Sequence, residues 1–270
     1  MNDTALEALL RRDRFVIQLA LVVLTALTWA YVLWLTRHMA MPGMDMGGMT
    51  MDAMAPQARP WAVPDLLFGF TMWSVMMAAM MLPSAAPMIL LYARVGRQAK
   101  AQDKPFAATG WFAGGYLLAW AGFSALATLL QAALNHAGLL TQRMASANDI
   151  MGGLILIAAG IYQATPLKDR CLANCRAPLS FIQRHGGFRG RPLPALLLGV
   201  RHGLYCIGCC WVLMLLLFVG GVMNLVWIAS LSALVLVEKV MSDGRAVSRA
   251  VGIGLFIGGL TLALEYWPRH

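Results

Sequence analysis

Three of the five cysteines in this chain, Cys206, Cys209 and Cys210, lie within five residues of one another. Side chains three and four residues apart share one face of a helix, so the three thiols are predicted to converge. His202 precedes Cys206 by four residues and Met214 follows Cys210 by four. Because this row drifts around the helix, only three or four of the five side chains can bind one ion. Soft sulfur ligands with an imidazole suit Cu(I) or, less well, Zn(II). The alternative is that the cysteines pack as small hydrophobic residues.

A second concentration of sulfur occupies residues 38–54, which read HMAMPGMDMGGMTMDAM. The spacing fits neither a helix face nor a strand, and the glycines and the proline oppose regular structure. Thioethers are soft, neutral ligands that favour Cu(I) and do not oxidise to disulfides, so they function in an oxidising compartment. The segment is therefore predicted to capture copper, with a flexible linker or a membrane-surface segment as the alternatives. Its candidate ligands are His38, Met39, Met41, Met44, Met46, Met49, Met51 and Met54.

A methionine stripe follows in residues 71–88, where sulfur recurs at helical spacing. Pro83 and Pro87 are expected to break or kink this helix, and such breaks line cavities in membrane proteins. The stripe is thus a candidate path for the ion, although methionine at this spacing is also ordinary core packing. It consists of Met72, Met76, Met77, Met80 and Met81.

The remaining cysteines, Cys171 and Cys175, lie in the basic segment KDRCLANCRAP. Their spacing of four places them on one helix face, where two thiolates can hold one Cu(I). Neighbouring cations favour the thiolate form. An incidental pair is the alternative. Elsewhere, Arg201 lies within an apolar run and needs a carboxylate, for which Glu238 is the candidate; Lys239 is expected to extend to the membrane interface.

The composition predicts a polytopic membrane protein. Of the 270 residues, 60% are hydrophobic and 12% are charged, against about 25% charged in soluble domains. Several apolar runs reach the roughly 20 residues that cross a bilayer. The net charge of +9 does not indicate a nucleic-acid partner, because the basic residues lie in short loops on one predicted side. We therefore predict an all-α bundle with about seven membrane helices and a cytoplasmic N-terminus. The predicted spans are 15–35, 65–93, 107–134, 150–165, 194–222, 223–241 and 250–267.

Three regions follow from this reading. Residues 1–37 form an arm and the first membrane helix, residues 38–64 form the methionine-rich extracytoplasmic loop, and residues 65–267 form a six-helix metal-binding domain. Residues 166–192 are expected to be a long basic cytoplasmic loop.

Three motifs together resemble one family. They are MWSVMMAAMMLPSAAPM at 72–88, HGLYCIGCCWVLML at 202–215 and the pair Glu238–Lys239. The chain is similar over about residues 65–265 to a bacterial family of uncharacterised, predicted metal-binding integral membrane proteins. The resemblance implies metal binding and a multi-pass location in the inner membrane, and it carries no implication for residues 38–54. The motif positions that it implicates are Met76, Met77, Met80, Met81, Cys206, Cys209 and Cys210.

Copper handling is the function that these patterns predict: capture outside, then transfer to an intramembrane Cys/Met site for transport or for delivery to a periplasmic or membrane cuproprotein. No phosphate-binding loop, zinc-protease motif or phosphorylated Asp-Lys-Thr signature is present, so binding is favoured over catalysis. The alternative is a membrane thiol or quinone oxidoreductase that uses the Cys-x-x-Cys-Cys cluster. A scaffold subunit that binds a partner through the methionine loop is a third reading.

Overall fold

The structure is a computed structural model that describes residues 61–266 except 104, 141–148, 188–189, 223 and 242, together with residues 19, 23 and 25–34. Within these residues the regular elements are helices, which confirms the predicted all-α class. Nine helices between residues 63 and 266 are described. They are α1 (Val63–Ala101), α2 (Thr109–His136), α3 (Asp149–Gln163), α4 (Pro166–Arg176), α5 (Pro178–Arg184), α6 (Pro192–Leu215), α7 (Leu217–Gly220), α8 (Leu225–Val240) and α9 (Gly244–Tyr266).

Within the described residues, four helical stretches are long and apolar enough to cross a membrane: α1, α2, α6 with α7, and α9. A fifth is obtained if α3 and α4, which meet at a bend of 64°, count as one broken span. The expected seven spans are not confirmed, because α8 has 16 residues and extends only about 24 Å at 1.5 Å per residue, short of the roughly 30 Å hydrocarbon core. The first predicted span is helical where it is described, at residues 25–34.

Helix α1 passes through Pro83 and Pro87 without ending, so the expected break is absent. Proline at position 83 removes the N–H that would bond the carbonyl of Ala79. The indole of Trp29 donates a hydrogen bond of 3.2 Å to that carbonyl instead. A neighbouring helix thus satisfies the backbone group that the proline frees, as occurs in membrane helices.

Helices α2 and α6 pack with their backbones almost in contact. A Cβ added at Gly199 of α6 would lie 2.9 Å from the carbonyl carbon of Phe112, and one added at Gly115 of α2 would lie 2.9 Å from that of Leu196. Glycine at both positions permits this approach, as small residues do between membrane helices. The glycines of α6 therefore serve packing, and the helix is unbroken from Pro192 to Leu215.

Residues 166–192, expected to be a loop, contain the helices α4 and α5. Thr165 caps α4 by accepting a hydrogen bond from the backbone N–H of Lys168, and Pro166 occupies the first turn, where it is favoured. Leu172 of α4 and Phe181 of α5 are buried in the core. These apolar side chains pack into the core from the two helices. The segment is therefore helical and packed, although its basic residues suggested a solvated loop.

Candidate metal site

Helix α6 gathers three thiols on its buried side. Cys206, Cys209 and Cys210 are each about 1% exposed. The Sγ atoms of Cys209 and Cys210 both lie 3.0 Å from the carbonyl oxygen of Cys206, to which they donate. The predicted convergence of these side chains on one helix face is therefore present.

Helix α4 adds the other two cysteines to the same place. The side chain of Cys175 in α4 lies within interaction range of Cys209 in α6. Cys171 packs against Gly208, where an added Cβ would lie only 2.8 Å from its Sγ. Both α4 cysteines are partly buried, and all five cysteines are free thiols. Two groups that the sequence left separate thus meet at the interface of α4 and α6, and we call them the thiol cluster.

Two polar side chains from other helices contact Cys206. The hydroxyl of Tyr116 (α2) lies 3.2 Å from its sulfur and donates a 3.1 Å hydrogen bond to the carbonyl oxygen of Met81. The ammonium of Lys239 (α8) lies 3.0 Å from the same sulfur and 2.9 Å from the hydroxyl of Ser84. Cys206 is therefore joined to α1 through two bridges. The ammonium of Lys239 thus contacts side chains of α1 and α6 within the bundle.

The methionine stripe lies in the core. Met72 and Met76 are 4% and 3% exposed, and Met77, Met80 and Met81 are fully buried. The stripe meets the thiol cluster through its backbone, at the carbonyl of Met81 that accepts from Tyr116. Burial to this degree is consistent with core packing as well as with an ion path.

A buried ion pair lies beside the thiol cluster. Lys168 of α4 contacts both carboxylate oxygens of Glu238, at 2.8 and 2.9 Å, and the two side chains are 0% and 2% exposed. The amide of Gln163 donates to Glu238 at 3.0 Å and its oxygen accepts from Lys168. The predicted pairing of Glu238 with Arg201 is wrong, because Glu238 pairs with Lys168 and Arg201 is exposed.

Sequence reasoning missed Lys168 and Tyr116. Lys168 carried a usable signal: it precedes Cys171 by three residues and Cys175 by seven, so all three lie on one face of α4. Tyr116 carried none, because an aromatic residue in an apolar helix is ordinary packing.

Two further candidate ligands, Met214 and His202, lie on α6 on either side of the three cysteines. Met214 is fully buried. His202 is also buried, its ring lies 5.6 Å from that of Tyr116 and 5.4 Å from that of Phe181, and its Nδ1 has no hydrogen-bond partner. In the described part of the chain, no three His, Cys, Asp or Glu side chains are already arranged as a metal site.

The candidate ligands of the methionine-rich segment lie outside the described residues. They are His38, Met39, Met41, Met44, Met46, Met49, Met51 and Met54.

The thiols of α4 and α6 form a cluster of soft sulfur side chains, the ligand type that Cu(I) prefers. A family model described as PpoB2, copper chaperone, matches residues 70–262. Since this is well over half of the chain, the protein belongs to that copper-related family. The matched stretch contains the methionine stripe, all five cysteines and the Glu238–Lys239 pair, whereas residues 38–54 lie before it. No curated protein and no solved structure matches the chain.

Proposed function

We propose that this chain is an integral membrane copper-binding protein that holds Cu(I) in the thiol cluster and delivers it to a partner cuproprotein. The observation that carries the proposal is the packing of α4 on α6, which places Cys171 against Gly208 and Cys175 near Cys209 and so brings thiols from two helices together. Cu(I) takes thiolate and thioether ligands, and family membership supports copper as the cargo. Zinc is the less favoured ion, because thiolates and thioethers are soft ligands that suit Cu(I) best.

An interhelical site suits a protein that must release its cargo. Ligands on one helix keep a fixed spacing, whereas those on α4 and α6 separate when α4 shifts. The 64° bend between α3 and α4 gives α4 a point about which to move, and the partial exposure of Cys171 and Cys175 gives a partner's ligands access. Transfer then proceeds by exchange of one sulfur ligand for another.

The proposed route starts at the methionine-rich segment, continues along the stripe in α1 and ends at the thiol cluster. Tyr116 and Lys239 support the last step, because they connect α1 at Met81 and Ser84 to Cys206. The proposal places the long apolar helices in the bacterial inner membrane, with residues 38–64 on the outer side, as the distribution of basic residues predicts.

Copper content of the purified protein tests the site. The protein in detergent is loaded anaerobically with Cu(I), desalted and analysed for copper and protein. Replacing Cys206, Cys209 and Cys210 by Ser is expected to abolish bound copper, because hydroxyls are hard ligands. Tryptophan fluorescence and gel filtration show whether the variant folds. Full copper content in a folded triple variant would exclude the thiol cluster, and copper-free wild-type protein would favour a scaffold role.

The two cysteines of α4 allow the interaction between α4 and α6 to be tested with a matched control. Cys175→Ser is expected to lower Cu(I) affinity about tenfold or more, the equivalent of about 1.4 kcal/mol, because it removes the thiol that contacts Cys209. Cys171→Ser, one turn away and packed on Gly208, serves as the control and is expected to have the smaller effect. Equal losses in the two variants would contradict the role given to the Cys175–Cys209 contact.

The methionine-rich segment is tested by rate rather than by capacity. Replacing its seven methionines with leucines keeps the apolar bulk and removes sulfur. If the segment captures copper, loading in proteoliposomes at low copper concentration slows, while copper per protein at saturation is unchanged. Loading at the wild-type rate would remove the segment from the proposed route.

A thiol oxidoreductase is the second candidate, and the same Cys175–Cys209 contact favours it, because adjacent thiols can form a disulfide. Mass spectrometry after non-reducing digestion separates the two functions. A Cys175–Cys209 disulfide that forms and is reduced reversibly, in protein that holds no copper, would support the redox function. Reduced thiols with bound Cu(I) would support the copper function.

A further inference from the structure

Among the residues that the structure describes, Lys239 has no carboxylate as its partner, although Glu238 is adjacent in sequence. Glu238 is engaged by Lys168 at 2.8 Å, and the hydrogen bonds of Lys239 go to the hydroxyl of Ser84 and the sulfur of Cys206. A lysine ammonium between apolar helices costs free energy unless a negative charge offsets it. The structure thus places the Lys239 ammonium beside the thiol cluster. This cation has no counter-charge until the cluster itself carries negative charge.

The net charge of a bound ion together with its thiolate ligands indicates which kind of ion would supply this counter-charge. Cu(I) held by two thiolates is a unit with one net negative charge, and that unit would be costly in an apolar setting. Lys239 makes the sum zero. A divalent ion on the same two thiolates is already neutral, so Lys239 would leave it with an uncompensated positive charge. The Lys168–Glu238 pair is neutral by itself and does not alter the count.

We propose that Lys239 is the residue that makes the thiol cluster selective for monovalent soft ions, Cu(I) and Ag(I), over divalent ions such as Zn(II). It acts by offsetting the negative charge of the bis-thiolate complex across the 3.0 Å contact with Cys206, and it is not a ligand. This proposal rests on the proposed function, because it assumes that Cys206 and a second thiol hold the ion.

The test compares affinities for Cu(I) and Zn(II) in purified protein, each measured by competition with a chromophoric chelator. Lys239→Met removes the charge and keeps the length of the side chain, and Lys239→Arg keeps the charge. The ratio of Cu(I) to Zn(II) affinity is expected to fall about tenfold or more in Lys239→Met, given the coupling found for close charge pairs. Lys239→Arg is expected to stay within a few-fold of wild type.

Distinct outcomes separate this proposal from the function on which it rests. An unchanged ratio in Lys239→Met, or an equal loss for both metals, overturns the selectivity role while copper binding stands. Wild-type protein that binds no Cu(I) overturns the function instead. If Lys239→Met does not fold, Ser84→Asp provides the second variant, because a carboxylate at a position that Lys239 contacts at 2.9 Å neutralises the cation and is expected to lower the same ratio.

Discussion

Glu238 and Lys239 are neighbours on α8, yet their environments differ. Glu238 is 1% exposed and is fully engaged by Lys168 and Gln163. Lys239 is partly exposed and contacts a hydroxyl and a thiol. Successive helical residues point about 100° apart, so one residue faces α3 and α4 while the other faces Cys206 and α1.

The difference predicts different roles for the two charges. A carboxylate with its cation and an amide in place is a closed network, whose removal disturbs the fold. Lys239 has neutral acceptors, and under the proposal above its charge is compensated only when the sulfur of Cys206 binds an ion. We therefore expect that the presence of a counter-charge, rather than burial alone, distinguishes the structural charge from the one that acts on a bound ion.

Breaking the closed network is expected to have the largest effect on stability. Glu238→Gln leaves Lys168 buried without its counter-charge, and the free energy of unfolding is expected to fall by about 3–5 kcal/mol. Thermal unfolding in detergent, followed by tryptophan fluorescence, measures it. The matched double variant Lys168→Met with Glu238→Leu removes both charges and is expected to recover most of the loss. A single variant as stable as wild type would mean that water reaches this pair.

Moving α4 off α6 is expected to be the next largest effect. Gly208→Ala places a Cβ against the sulfur of Cys171 at 2.8 Å, and overpacking of this kind costs about 1–3 kcal/mol. It is also expected to lower the yield of a Cys175–Cys209 disulfide on mild oxidation, measured by mass spectrometry. Gly110→Ala is the control, because an added Cβ there meets nothing within 4 Å. An unchanged yield in the Gly208 variant would show that α4 tolerates displacement.

Removing the charge of Lys239 is expected to change the free energy of unfolding less than removing the charge of Glu238. Lys239→Met loses two hydrogen bonds from a partly exposed side chain, worth about 0.5–1.5 kcal/mol each, but it also removes the cost of holding a cation among apolar helices. The free energy of unfolding is therefore expected to change by about 1 kcal/mol or less in the same fluorescence assay. A loss as large as that of Glu238→Gln would place Lys239 in the structural network and erase the contrast between the two residues.

The second bridge to Cys206 is expected to give an effect on stability of similar size, and only a small effect on Cu(I) binding. Tyr116→Phe removes one hydroxyl from between Met81 and Cys206, a loss of about 0.5–1.5 kcal/mol in stability. Chelator competition is expected to show a loss of Cu(I) affinity of a few-fold at most. Ser230→Ala is the control, since that exposed hydroxyl bonds only within its own helix, to Val226. A Tyr116 effect larger than that of Cys175→Ser would make the phenol a ligand candidate.

Local spacing made part of this arrangement predictable. The i, i+3, i+4 row of Cys206, Cys209 and Cys210 required only that the segment be helical, and apolar composition indicated that. The meeting of Cys175 with Cys209 depends on how α4 bends back from α3, which no local pattern encodes. The same limit explains the wrong partner for Glu238, because the correct one lies 70 residues away in a segment whose basic residues suggested a loop.

The proline positions show a related limit. Pro83 indicated a break in α1 from its own chemistry, but the outcome depended on Trp29, 50 residues from the carbonyl that it satisfies. The seven predicted spans are not confirmed, for a simpler reason. Apolar runs such as that of α8 were long enough to suggest a span, whereas the helix within it is shorter than the hydrocarbon thickness.

The separation of Lys168 from Glu238 along the chain also fixes an order of events during synthesis. At 5–20 residues per second, the lysine leaves the ribosome about 4–14 s before its carboxylate exists. Throughout that interval an unpaired ammonium keeps α4 in water, because sinking it among apolar helices would be too costly. Docking of α4 on α6 therefore waits until α8 has been made. The cysteines of α4 and α6 are therefore expected to come together only late in synthesis, so most nascent chains do not yet contain the complete thiol cluster.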